Sequence, residues 1–168
     1  MLVIPVAPEV LRLPVVRLWN GDRSPDTRLD GLCEITRGDR GVKLKTFFFC
    51  PGEHGKEDGL EIWFVDEDNQ NLRIRFDSDG GFRVLGCEAS GEVIADLTNE
   101  LSRSFSLKEA AGRRCAEGEI PFELFPSHVK AINAFLFSGK TFLAYHPLSD
   151  PHDRRTETFP LVKLASVE

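Results

Sequence analysis

Between Gly59 and Cys87 apolar and polar residues alternate in three runs, separated by two breaks rich in Asp, Asn and Gly. Leu60, Ile62 and Phe64 share one parity, Leu72, Ile74 and Phe76 repeat it, and Phe82 and Val84 follow. A period of two marks a half-buried strand, so these residues are the core faces of three successive strands. The breaks at 66–71 and 77–81 hold residues that tolerate positive φ or bond their own backbone, which closes hairpins. The segment reads as an antiparallel meander. Its opposite parity places Glu61, Trp63, Arg73 and Arg75 together on the face turned away from the core.

The same reading predicts strands at 15–19, 32–36 and 42–50 upstream, and at 92–97, 113–120, 131–137, 141–145 and 159–164 downstream. Roughly ten short strands at this spacing make a two-sheet antiparallel sandwich the economical way to bury one face of each. Helix is scarce. Ser106 and Glu109 have capping-box spacing ahead of Ala110, Ala111 and Gly112, which predicts one or two helical turns there. Phe122 to Phe125, ahead of Pro126, predicts another single turn. A boundary at 96–106 would leave neither side enough strands to close a core, so the expectation is one all-β domain over 1–168.

Composition refines this picture. Thirteen Phe against one Tyr and one Met make Phe the main packing residue, and a net charge of −6 argues against a nucleic-acid partner held by a general basic surface. The apolar N-terminus is broken by Pro5, Pro8 and Pro14 and has no run long enough to span a bilayer. The expectation is therefore no signal peptide, no membrane association and a cytoplasmic location. Cys33, Cys50, Cys87 and Cys115 are too widely spaced for paired zinc ligands or a redox CxxC. They are expected as reduced thiols, with two disulfides as the alternative for an exported protein.

Candidate chemistry centres on Trp63 with Glu61, Arg73 and Arg75. An exposed indole can pack on the C–H face of a pyranose while Arg and Glu bond its hydroxyls. The alternative is a solvated face with ion pairs, or a contact that buries Trp63. Trp19, at a strand end before a turn, is either a cleft rim or an edge filler. Phe47, Phe48 and Phe49 put aromatics on both faces of one strand, which suits a central strand covered on both sides. His146, Asp150 and His152 lie in a Pro-bounded loop that could bind a divalent metal or move protons, though without a recognised ligand spacing a structural or solvated loop explains them as well. Asp66, Asp68 and Asn69 fail the EF-hand spacing and read as a hairpin turn. No nucleophile elbow and no glycine-rich phosphate loop before a helix is present.

The order of these motifs resembles a known family. Residues 57–82 are similar to the central strands of DOMON-like domains and family 9 carbohydrate-binding modules; residues 118–125 resemble their strand-plus-turn, and 132–137, with Asn133, the next strand. Residues 142–164 resemble the closing segment of bacterial DOMON-like proteins, so the likeness covers about residues 30–164. It implies a jelly-roll or immunoglobulin-like sandwich that binds sugars or, in some members, haem. Haem-binding members use a Met/His axial pair, and the only Met is Met1, so no cofactor is expected. Sugar-binding members clamp a terminal sugar between two aromatic rings.

The first reading is thus a non-catalytic module that binds a carbohydrate through Trp63, Glu61, Arg73 and Arg75, with Trp19, Asn133, His146, Asp150 and His152 as secondary candidates. The second is a structural or interaction module whose same face docks a protein partner or a second copy. A metal-dependent enzyme built on the His146 loop is third.

Overall fold

A computed structural model describes residues 1–49, 58–150 and 155–166. Its strands are β1 (Leu2–Ile4), β2 (Leu11–Val15), β3 (Arg17–Leu18), β4 (Asp30–Arg37), β5 (Gly41–Phe49), β6 (Gly59–Asp66), β7 (Asn71–Asp77), β8 (Phe82–Cys87), β9 (Val93–Asp96), β10 (Phe105–Ala110), β11 (Arg113–Pro121), β12 (Val129–Ser138), β13 (Thr141–Ala144) and β14 (Val162–Leu164). Five form one antiparallel sheet in the order β10-β11-β5-β4-β2, and seven form another in the order β3-β13-β12-β6-β7-β8-β9. The meander is β6-β7-β8, and the two sheets face each other as a β-sandwich.

The facing sides carry the parities expected from the alternation. Leu13, Ile35, Leu44 and Phe48 of the five-stranded sheet meet Leu60, Ile62, Phe64, Ile74, Phe76, Ile132 and Leu136 of the other in one buried cluster. Burial of this apolar area is the main stabilising term. Rings of Phe64 and Phe125 meet edge to face at 4.9 Å between centroids, and Phe76 meets Phe105 at 5.7 Å. One side of the sandwich is closed by a parallel ribbon of β1 and β14, with Leu2 opposite Val162. Backbone bonds from Arg37 N–H to the Pro5 carbonyl (2.7 Å) and from Ile132 N–H to the Pro160 carbonyl (3.1 Å) tie that ribbon to both sheets.

The predicted helical turns at 106–112 are instead the hairpin β10-β11, in which Ala110 pairs with Arg113 around the two-residue turn Ala111-Gly112. Phe105 and Leu107 turn inward at a spacing of two, and the side-by-side pairing with β11 outweighs a local cap of about 1 kcal/mol. Both turn residues have positive φ, 52° for Ala111 and 75° for Gly112, as a type I′ turn demands. A left-handed conformation costs an Ala roughly 1 kcal/mol, whereas Asn adopts it readily. Ala111→Asn is therefore expected to stabilise the protein by up to about 1 kcal/mol in urea unfolding; a loss of stability would show that the turn is not type I′.

Among the described residues one α-helical turn, α1 (Thr98–Leu101), follows β9, and a 3-10 turn spans Thr156–Thr158. The turn expected at Phe122–Phe125 is present, with Phe125 N–H bonded to the Pro121 carbonyl at 3.0 Å.

A second correction concerns which strands are covered twice. Strand β5 is central, yet Phe47 and Phe49 are only partly buried and Lys43 is exposed, so its outer face is wet. The doubly covered strands are β6 and β12, nearly continuous runs of buried residues. Cys33, Cys87 and Cys115 are free, which removes the two-disulfide alternative; Cys50 lies outside the described residues. Burial pushes the Cys33 thiol pKa far above its ordinary value, so that thiol stays protonated and packs as a small hydrophobe. No helix among the described residues is long and apolar enough to cross a membrane.

Candidate functional site

Strands β6 and β7 bring the four predicted residues together in register. Trp63 lies opposite Arg73 and Glu61 opposite Arg75, all on the outer face of the seven-stranded sheet. That face is not open at Trp63. The indole is 4% exposed and sits in a second buried cluster with Val65, Ala131, Phe135, Ala144, Leu148 and Phe159. Phe135 and Phe159 meet it edge to face, at 5.7 and 5.8 Å between centroids. The expectation of an exposed Trp63 platform is therefore corrected. Leu148 and Phe159, both downstream of β13, pack over the outer face and bury the ring.

Around this ring the polar groups form a fixed chain. Trp63 Nε1–H donates to Glu61, whose other oxygen accepts from Arg75 Nη1 at 3.3 Å, and Arg75 Nε donates to Asp77 at 2.8 Å. Glu61 is only 7% exposed, so a carboxylate bonded by an indole and a guanidinium meets the requirement that a buried charge be paired. Burial alone would lower the Arg75 pKa, but the hydrogen bond to Asp77 and the charges of Glu61 and Asp77 outweigh it and hold the guanidinium above its ordinary value. Arg75 also reaches over Phe137, 5.3 Å from the ring centroid. Gly59 separates Phe137 from Asp77 in register, so no side chain intervenes along that row.

Arg73 behaves differently. Its guanidinium carbon lies over the indole, 3.7 Å from the ring centroid, and its Nε donates to Asn71 Oδ1 at 2.6 Å. Beside these groups, Phe137 and Phe142 stack at 4.9 Å with 6° between planes, both partly buried. Sequence reasoning missed this ring pair. The signal was available, because Phe135 and Phe137 share the outward parity of Asn133, but it needed the pairing of β12 with β13 to be noticed.

The secondary candidates scatter. Asn133 is fully buried opposite Trp63 and is occupied by the backbone: its Oδ1 accepts from His146 N–H (3.0 Å) and Ala134 N–H (2.9 Å), and its Nδ2 donates to the His146 carbonyl (3.2 Å). It is a structural residue that stands in for a peptide group where β13 leaves the sheet. Trp19 is partly buried at the edge, bonded through its backbone to Phe142 and Leu148. His146 and Asp150 are exposed, and His152 lies outside the described residues. Among the described residues no group of three or more His, Cys, Asp or Glu side chains could hold a metal ion.

The outer face of the five-stranded sheet carries a separate open cavity of about 470 Å³, lined by Glu34, Lys45 and Glu117 in one cross-strand row and by Thr36, Lys43 and Glu119 in the next. No aromatic ring lines it, so it lacks a stacking surface.

No protein-family model matches the chain, and no curated protein matches it in sequence. Solved structures do match in fold. A protein from Bacteroides uniformis, provisionally described as carbohydrate-binding, has a TM-score of 0.64 at 11% identity over 93% of this chain and 87% of that one. A family 9 carbohydrate-binding module from Caldicellulosiruptor kristjanssonii, in complex with cellotriose, has a TM-score of 0.63 at 10% identity over 99% and 94%. A family 9 module from the same organism, in complex with glucose, has a TM-score of 0.56 at 11% identity over 99% and 97%.

Proposed function

We propose that this chain is a non-catalytic carbohydrate-binding module that takes its ligand on the outer face of the seven-stranded sheet. The observation that carries the reading is the end-to-end likeness of its sandwich to modules solved with cellotriose and with glucose. Fold alone does not dictate function, so the site must supply the chemistry. The strip of β7 from Arg73 to Asp77, about 13 Å long, offers donors and acceptors held in fixed orientation, with the Phe137–Phe142 pair beside them as an apolar surface. Preorganised hydrogen-bonding groups next to a flat ring are what sugar recognition requires. The role of Trp63 in this reading is to support Arg73 from beneath rather than to touch the sugar.

Titration with glucose, cellotriose and a panel of other neutral and acidic saccharides, followed by amide NMR, is expected to shift resonances on β7 and the end of β12. Absence of shifts for every saccharide at millimolar concentration would sink the reading. A second reading, docking of another protein chain, draws on Val93 and Ile94, both 52% exposed on edge strand β9. Light scattering that shows a dimer, lost in Ile94→Lys, would favour it.

A further inference from the structure

We infer that the ligand of the β7 strip is an acidic saccharide, and that Arg73 receives its carboxylate; this rests on the carbohydrate reading above and narrows it. The basis is the contrast between two arginines two residues apart on one strand. Arg75 is neutralised by Glu61 and Asp77. Among the described residues Arg73 forms no ion pair, and Asn71 Oδ1 is the one acceptor its side chain reaches there. Four of its five N–H donors are left over.

These donors are aimed rather than loose. The indole beneath and the Nε bond to Asn71 hold the guanidinium plane, so its outward edge is a preformed fork. Asn71 is itself anchored by its Nδ2 bond to the Glu88 carbonyl at 3.4 Å. The turn that follows brings Gly91 against Nη2, where an added Cβ would lie only 3.6 Å away, so a glycine leaves that side of the fork without a covering side chain. Three carboxylates on the same sheet have other partners: Glu61 and Asp77 pair with Arg75, and Asp96 accepts from the Thr98 N–H at 3.0 Å. Arg83, directly opposite Arg75 on β8, is exposed and adds a second cation, which forms no salt bridge among the described residues and acts on Asp96 only through its charge.

A planar fork with two parallel donors matches a carboxylate better than it matches a single hydroxyl. Stacking on an aromatic ring lowers the entropy lost on binding, because the side chain is already ordered. A neutral sugar would leave the positive charge of a half-buried group without a counterion. A uronate supplies that counterion and the hydroxyls for the Arg75 side of the strip together.

The test compares galacturonate and glucuronate, and their short oligomers, with galactose, glucose, the uronate methyl esters and glucose 6-phosphate, by calorimetry on the whole chain. Uronates are expected to bind about tenfold or more tighter than the neutral sugars and the esters, the fold-change of one charge-assisted hydrogen bond. Raising salt from low to high is expected to weaken uronate binding only. Arg73→Lys keeps the charge and loses the fork, and is expected to lower uronate affinity about tenfold more than it lowers neutral-sugar affinity. Arg73→Gln is expected to abolish the preference, and thermal melts of both variants control for folding. Neutral sugars that bind as tightly as uronates, or a preference that survives Arg73→Gln, would overturn the inference while leaving the carbohydrate reading standing. Glucose 6-phosphate binding as tightly as a uronate would overturn the carboxylate assignment. No binding by any saccharide would remove both readings.

Discussion

Trp63→Ala is expected to cost about 3–5 kcal/mol of folding stability, the range for deleting a large buried aromatic. The ring fills the space between Phe135, Phe159 and Leu148 in a buried cluster, so its removal leaves a large cavity. Two further losses add to the cavity. Glu61 loses the indole N–H, and Arg73 loses the surface that holds its plane. A loss of this size is a large share of the roughly 5–15 kcal/mol that holds a domain folded, so the variant is expected to unfold readily at room temperature. Trp63→Phe keeps most of the packing, removes only the donor, and is expected to cost roughly 1–3 kcal/mol. Urea unfolding measures both. The chain has two tryptophans, so in a Trp19→Phe background Trp63 alone reports: a buried ring gives blue-shifted emission and weak quenching by acrylamide. Strong quenching, with Trp63→Ala costing under about 1 kcal/mol, would restore the open-platform picture.

Asn133→Ala is expected to cost about 2–4 kcal/mol. The side-chain amide satisfies both the N–H and the carbonyl of His146, and each buried polar group left without a partner costs about 1–3 kcal/mol. The fault is expected to spread along one direction. His146 marks the point where the chain leaves β13, and Leu148, two residues on, is part of the cover over Trp63. Hydrogen exchange should therefore speed up over 145–150 while the β6-β7 ladder stays protected. Asn133→Asp keeps the acceptor and loses the donor, and a buried carboxylate there is expected to be as costly or worse. A loss under about 0.5 kcal/mol with unchanged exchange would show that the His146 backbone finds other partners.

Most strands of both sheets were legible because their periodicity is a local property, although β2 lies at 11–15, upstream of the strand expected at 15–19. Leu60, Ile62 and Phe64 carry the alternation in their own order, and the burial of each follows from parity alone. The 106–112 hairpin was not legible, because a capping box is also local and the two local signals disagreed. The decision lay with β11, whose residues Glu117 and Gly118 pair with Ser106 and Phe105 across the sheet. Which strand was covered twice was misread for a related reason. Three consecutive Phe on β5 suggested two covered faces, yet β6 received the cover, because the chain after β13 returns over that sheet and brings Phe159 to it.

By itself the sequence determined an antiparallel sandwich and the grouping of Glu61, Trp63, Arg73 and Arg75 on one face, since parity and hairpin register need only neighbouring strands. Only the tertiary structure decided what that face can do. It buried Trp63, turned Asn133 into a backbone partner, neutralised Arg75, and left Arg73 without a counterion among the described residues. Those outcomes depend on contacts between residues as far apart as Trp63 and Phe159. Parity along a strand says which way a side chain points, and it carries no information about what distant segment arrives to meet it.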